Sequence, residues 1–392
     1  MTTLTRYVLV ELIKVFVVAM LGLTAMMMII GVVKEGADQH LPLAGLVRLI
    51  PYVLPNTLRW TIPATLLLAT TTVYARMSAF NEVVAIKALG ISPWAILRPA
   101  YVLAFLLSLM TVWMNDLEGS WGRHGTQRVV TEAFQEIVYN MLRTQKSFSS
   151  SRLAINVKRV EGRRLIRVNL AIEGRGKTPS VRITAEEAEI HSDPANNVLR
   201  IVLRNGTINV PGRGSFQFPD EHEQDIPLSD RDPQALLPSW MPLRLIPDKI
   251  ASQTKNIELY RQDMAVQAAV QLATGDFAGV TSSDWQRRDG TVRSMCDLLS
   301  RLYTEPYRRW SQGFSCLLFV WVGAPMAVRL RNGDLLTSFF LCFLPILVVY
   351  FPLLFCMVDG AKSGGLPPWS VWAGNFLLFL WGLWLLRRVV RY

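Results

Sequence analysis

The chain has 392 residues, a formal net charge of +11 and 51% hydrophobic residues. A positive mean hydropathy with 18% charged residues excludes one ordinary soluble domain and indicates separate apolar and polar blocks. The four cysteines and four histidines show neither a disulfide framework nor metal-ligand spacing. We therefore expect no metal and no cofactor in this chain.

Six apolar runs approach the roughly 20 residues that a membrane-spanning helix needs. They lie at about 8–33, 52–75, 94–114, 313–328, 335–358 and 369–386. A long polar block separates the first three runs from the last three. The pattern predicts a membrane protein with six transmembrane helices (3+3) and one inserted extramembrane domain. The first run is too long for a cleavable signal, so we interpret it as a signal anchor.

The polar block divides into a β-rich part and a helical part. We assign 1–115 to membrane half one, 116–255 to the β-rich domain, 256–312 to a helical segment before the fourth span, and 313–392 to membrane half two. Residues 153–160, 165–172, 180–190 and 198–210 alternate or are β-branched, as strands do. Asn205-Gly206 predicts a type I′ hairpin turn. A sandwich or jellyroll of short strands is the expected architecture.

The short loops carry an asymmetric charge that predicts the orientation. Lysine and arginine are enriched on the side of both termini and of the 76–94 connection, whereas the opposite side carries Lys34, Arg48 and Lys362. Cytoplasmic loops are the ones enriched in these residues. The sequence therefore predicts cytoplasmic termini, a cytoplasmic 76–94 hairpin and an external polar block.

The 76–94 connection has the signals of a short ordered helix between two spans. Ser78 is the predicted N-cap, residues 79–89 the helix and Gly90 its terminator. Ser92-Pro93 then predicts the cap and the first residue of the next helix. Glu82 near the first turn is either a solvated carboxylate that pairs with Lys87 or a charged contact to a cytoplasmic partner. The small residues Ala85 and Gly90 favour a docking helix.

Three cations are candidates for binding lipid phosphates. Lys34 ends the first span and either snorkels to the interface or meets an anionic headgroup. Arg59 lies within apolar sequence, so it faces a cavity or else its surroundings lie at the membrane interface. Arg48 is the third candidate.

Enzymatic chemistry is not indicated by any stretch of the sequence. Residues 171–178 match a loose phosphate-loop pattern, but Pro179 and strand-like residues follow where a helix N-terminus is required. We interpret this stretch as a β-turn. No set of acid, base and nucleophile stands out, so we predict a protein that is not an enzyme.

Four stretches of the chain resemble the LptF/LptG permeases of the lipopolysaccharide-export ABC transporter. They are the opening at 6–12, the signature at 63–69 with 76–92, the Glu305-Pro-Tyr-Arg-Arg-Trp run and the Gly-Gly-Leu-Pro-Pro-Trp turn at 364–369. Outside the membrane halves the likeness rests on architecture alone. The helical stretch at 256–301 is longer than the family leads us to expect.

The resemblance implies a multi-pass protein of the bacterial inner membrane with a periplasmic β-jellyroll. It implies a second paralogous permease subunit, a cytosolic ABC ATPase dimer that uses ATP and Mg²⁺, and a periplasmic jellyroll bridge protein. The substrate would be lipopolysaccharide, moved towards the outer membrane. Glu82 matches the acidic residue of the family's coupling helix, with Ala85, Lys87 and Gly90 beside it. Lys34 falls near lysines that meet the glycolipid phosphates in one paralogue.

Two other function classes remain open from the sequence. One is a permease of another lipid or lipoprotein ABC exporter, which a span count and the position of both termini would distinguish. The other is a non-transporting membrane scaffold with a periplasmic binding domain. A transporter subunit should co-purify with an ATPase, whereas a scaffold need not.

Overall fold

The computed structural model describes residues 3–38, 43–149, 153–172, 181–193, 198–210, 214–227, 237–275, 283–330 and 335–391. The chain forms two compact units. The helical unit contains Met1–Ile29, Leu54–Gly122 and Leu237–Tyr392, and the β unit contains Ile30–Val53 and Arg123–Leu236. The predicted domain boundary at 255 therefore falls inside the helical unit.

The helices of the described ranges are long and are interrupted by two π-helical turns. They are α1 (Thr3–Asp38), α2 (Leu43–Ala79), α3 (Glu82–Ala88), α4 (Pro93–Leu117), α5 (Arg123–Gln145), α6 (Ile246–Ala273), α7 (Ser283–Leu330), α8 (Leu335–Pro345), α9 (Phe351–Lys362) and α10 (Ala373–Arg391). The π-helical turns are Glu118–Gly122 and Ile346–Tyr350. The predicted helical segment, 256–312, contains most of α6 and the first part of α7. Helix α7 then continues without a break through the predicted fourth span.

Five helical stretches among the described residues are long and apolar enough to cross a membrane. They are Thr3–Lys34, Pro93–Val129, Ser283–Leu330, Thr337–Lys362 and Pro368–Val389. The remaining predicted run, 52–75, lies in α2 and is rich in threonine, which lowers its hydropathy. The hydroxyls of Thr61, Thr65, Thr70 and Thr71 donate to backbone carbonyls three or four residues earlier. These side chains are therefore satisfied within their own helix and expose little polarity.

The core of the helical unit forms where α2, α4 and α7 approach closely. A side chain at Gly313 would meet Val112 of α4, and a side chain at Gly323 would meet Leu67 of α2. Small residues at such crossings let helix backbones approach and gain packing contacts in lipid, where the hydrophobic effect between helices is absent.

The β unit contains one antiparallel sheet in which sequential strands are neighbours. The strands are β1 (Ser147–Ser149), β2 (Leu153–Glu161), β3 (Arg164–Ile172), β4 (Val181–Asp193), β5 (Val198–Val210), β6 (Gly214–Phe218) and β7 (His222–Pro227). Both β6 and β7 pair with β5, at its two ends. The four predicted strands are confirmed, while the jellyroll stays a prediction.

Helix α5 covers one face of this sheet. Val138, Tyr139 and Leu142 pack in one buried cluster with Ile155 and Ile201 of the strands. The Tyr139 hydroxyl donates to the carbonyl of Arg163 and accepts the backbone N–H of Ile190. Burial raises the pKa of this hydroxyl, so it remains protonated and able to donate.

The predicted hairpin at Asn205-Gly206 is wrong, because both residues lie inside β5. Asn205 is left-handed, with φ 47°. It lies opposite Glu186 of β4, and Glu186 is the one residue at this point that pairs with neither β3 nor β5. Arg167 of β3 is also left-handed, with φ 52°, in the same row. Gly206 is needed for space, since a side chain there would meet Phe218. Asparagine tolerates the left-handed region and glycine permits the close approach, so the pair suits this gap in the pairing of β4 with β5.

Candidate coupling and lipid-binding sites

The connection between α2 and α4 is an ordered structure, as the sequence predicts, but its helix is shorter and begins later. Helix α3 covers Glu82–Ala88, and its N-cap is Asn81, which is left-handed with φ 58°. Ser78 is not the cap, because it lies within α2 and its hydroxyl donates to the carbonyl of Val328 at 2.6 Å. This hydrogen bond joins the end of α2 to the end of α7.

The C-terminal end of α3 is fixed by the predicted glycine. Gly90 is left-handed with φ 76°. Its N–H donates to the carbonyl of Lys87, and the N–H of Ile91 donates to the carbonyl of Ile86. These two hydrogen bonds form a Schellman motif. Ser92 then caps α4 by accepting the N–H of Trp94 at 3.3 Å, as predicted.

The charged residues of α3 do not pair with each other. The Lys87 ammonium donates to the carbonyl of Val389, at the end of α10, at 3.0 Å. Glu82 is half-buried and, among the described residues, makes no ion pair or hydrogen bond through its carboxylate. The pairing of Glu82 with Lys87 that one interpretation invoked is therefore absent. The Glu82 carboxylate can therefore accept a hydrogen bond or an ion pair from a partner protein.

Around α3 lies an exposed apolar surface. Phe80 is 72% exposed, Val84 43% and Leu89 77%. Ala85 and Gly90 are also exposed, so the small face is open. We call Phe80, Glu82, Val84, Ala85 and Leu89 the coupling surface. Apolar side chains around one carboxylate fit a protein interface better than a solvated loop.

An ion pair joins α1 to the end of α2 beside the coupling surface. Arg76 donates to Glu11 at 2.9 Å. A cation in the last turn of α2 also interacts favourably with the helix dipole.

Arg59 lines a cavity, while its position relative to the membrane stays a prediction. Its guanidinium donates to Glu118 at 3.0 Å and to Asn56 at 3.0 Å, and it lies over the ring of Trp60. The cavity has a volume of about 190 Å³. Its walls are largely apolar and come from α2, α7, α8, α9 and the π-helical turn, with Phe319, Phe343, Leu347, Tyr350, Phe351 and Leu354 among them. An apolar cavity with a cation at its polar end is suited to bind an amphiphilic molecule.

Close to Arg59 is a charge network that sequence reasoning missed. Arg309 is 1% exposed and donates to Glu305 at 3.0 Å and to Asp116 at 2.7 Å. It also donates to the carbonyls of Ser239 and Met241. The sequence does contain a signal for this network. Arg308 and Arg309 follow Glu305 by three and four residues, so the three charges are neighbours on one helix.

Lys34 and Arg48 are exposed and lie in the β unit. Helices α1 and α2 approach closely there, since a side chain at Gly36 would meet Leu46 and one at Gly31 would meet Val53. Glu82, Ala85, Lys87 and Gly90 lie together in the helical unit, as does Arg59. Most of the loose phosphate-loop pattern, residues 173–178, lies outside the described residues.

Comparison with known proteins identifies the relatives of this chain. The family model described as "Lipopolysaccharide export system permease LptF/LptG" matches residues 6–388. No curated protein sequence matches the chain. The match covers both units, including the coupling surface and the charge network. The chain therefore belongs to the LptF/LptG family of lipopolysaccharide export permeases.

Proposed function

We propose that this chain is the permease subunit of an ABC transporter that extracts lipopolysaccharide from the inner membrane. A separate cytosolic ATPase dimer supplies the energy by pressing on the coupling surface. The observation that carries this proposal is the ordered α3 in a chain of this family. Its Glu82 carboxylate lies among exposed apolar side chains and has no partner within the described ranges. A loop that merely joined two spans would need neither the caps nor the apolar surface.

In this proposal the chain crosses the inner membrane six times, with α2 as the sixth crossing helix. Both termini and α3 are cytoplasmic, and the β unit is periplasmic. Support comes from the distribution of lysine and arginine in the short loops. The internally satisfied threonines of α2 also make it compatible with lipid.

The glycolipid enters beside α1. Of the five apolar stretches, α1 is the least buried within the chain. Its exposed side chains, such as Val18, Leu21 and Ile29, would contact lipid or the second permease subunit. A poorly packed helix at the rim of a bundle is suited to move aside when the bundle is pushed.

Polar and apolar parts of the substrate would then separate. A phosphate meets Arg59, and one acyl chain enters the cavity whose polar end is Arg59. Lys34 and Arg48, in the β unit, are separate candidates for contact with a lipid phosphate. The acyl chains then pass to the β unit and onward to a periplasmic bridge protein. Each ATP-driven cycle repeats this transfer.

Photocrosslinking tests the lipid pathway directly. A photoreactive residue at Leu347, in the cavity wall, should label lipopolysaccharide, and so should one at Lys34. Leu380 on α10 is 50% exposed and does not line the cavity, so it is the control position. Addition of ATP should reduce labelling at Leu347 if the substrate moves onward. Equal phospholipid labelling at all three positions, without lipopolysaccharide, would reject the pathway.

A further inference from the structure

A second concave site lies where α3 meets the ends of α7 and α10. It is an open groove of about 1010 Å³. Its lining includes Ser78, Lys87, Arg329 and Arg388. The groove therefore collects three cations from three different helices, and none of its lining residues is acidic.

The three cations have no acidic partner among the residues that the structure describes. None forms an ion pair with a residue in the part of the chain that the structure describes. Lys87 is held in place by its hydrogen bond to the carbonyl of Val389. Arg388 is held flat over the ring of Trp384, with its guanidinium carbon 4.1 Å from the ring centroid. Positioned cations without a carboxylate are suited to bind an anion.

An apolar stripe leads to this groove along α10. Phe376, Leu380 and Trp384 are 63%, 50% and 48% exposed, and Arg388 follows at the same four-residue spacing. Residues four apart are neighbours on a helix, so the stripe ends at the guanidinium that lines the groove. Tryptophan at the end of an apolar helix is typical of the level of the lipid headgroups.

We propose that the groove binds the headgroup of an anionic phospholipid, with an acyl chain lying along the α10 stripe. The stripe favours a lipid over an acidic segment of a protein, because a protein segment would gain nothing from apolar contacts that continue towards the centre of the bilayer. Basic pockets between helix ends are a known mode of anionic lipid recognition. The phosphate contacts Arg329 and Arg388, and Lys87 lies beside it.

The bound headgroup would join α3 to the ends of α7 and α10. This contact stiffens the coupling segment, so ATP-driven turnover should rise with the fraction of anionic lipid. That consequence rests on the proposed function, whereas lipid binding itself does not.

The test uses the complete transporter complex purified in neutral detergent. Binding of dioleoylphosphatidylglycerol and of dioleoylphosphatidylcholine is measured by native mass spectrometry. The variant carries Arg329→Gln and Arg388→Gln. The matched control carries Arg98→Gln and Arg387→Gln, which remove the same charge from exposed positions that do not line the groove.

We expect the groove variant to lose phosphatidylglycerol affinity by roughly fivefold for each arginine removed, with phosphatidylcholine binding unchanged. The control should change far less. An equal loss in both variants would reduce the effect to general surface charge and overturn the proposal. Unchanged phosphatidylglycerol binding with loss of the co-purified ATPase would overturn it as well, because the groove would then belong to a protein partner. Glu82→Arg should leave phosphatidylglycerol binding intact even where it abolishes transport. A failure of the lipid-binding proposal can therefore be told apart from a failure of the proposed transport function.

Discussion

Replacing Arg309 with methionine is expected to destabilise the helical unit by about 3–5 kcal/mol, the usual effect of breaking a buried ion pair from one side. The variant leaves the Glu305 carboxylate, which is 2% exposed, without one of its two arginines. It also removes the donors for the carbonyls of Ser239 and Met241. Asp116 retains its hydrogen bond from the N–H of Leu243 but loses its cation.

Unfolding by sodium dodecyl sulfate in mixed micelles, followed by tryptophan fluorescence, measures this loss. The control is Arg293→Met on the same helix, which breaks an exposed pair with Asp289. Exposed pairs contribute about 0–1 kcal/mol, so the control should be nearly neutral. Equal effects of the two substitutions would show that the network does not stabilise the unit.

Charge reversal by Glu82→Arg is expected to reduce ATP-driven lipopolysaccharide release by more than about tenfold. A cation placed where a partner presents complementary charge costs several kcal/mol at an interface. The fold should survive, because the Glu82 carboxylate makes no ion pair or hydrogen bond among the described residues and the side chain is only half-buried. The expected signature is therefore normal membrane insertion with transport lost.

The measurement is release of lipopolysaccharide from proteoliposomes, together with ATP hydrolysis and the yield of co-purified ATPase. Glu258→Arg supplies the control, since Glu258 is an exposed carboxylate on α6 away from the coupling surface. Full transport by the Glu82 variant would remove the coupling role of this residue.

Periodicity and composition predicted the elements that depend on local sequence. The apolar runs became helices and the four alternating segments became strands, because burying one face of an element requires the matching period. Gly90 and Ser92 were also predictable, since a left-handed terminator and a helix cap are local requirements.

Features that depend on distant contacts could not be read from the sequence. Ser78 has the chemistry of a helix cap, yet its hydroxyl bonds to Val328, 250 positions away. Asn205-Gly206 has the chemistry of a hairpin turn, yet it lies inside β5, which pairs with β4 both before and after it. The sequence also could not show that Arg59 pairs with Glu118 and lines an apolar cavity. In each case tertiary pairing selected one of several outcomes that the local sequence permits.

The central claim is that a cytosolic ATPase acts on the segment between α2 and α4, so this segment must face the cytosol. A membrane-impermeant thiol reagent tests it with Leu89→Cys, since Leu89 is 77% exposed. Cys296 and Cys356 are replaced by serine in this background, because they are the two native thiols that are not buried. Leu259→Cys on α6, 53% exposed, is the mirror control.

In intact spheroplasts we predict labelling of Leu259→Cys alone, with Leu89→Cys reacting only after the membrane is disrupted. Labelling of Leu89→Cys in intact spheroplasts would place the coupling surface in the periplasm, beyond the reach of any cytosolic ATPase, and would contradict the account.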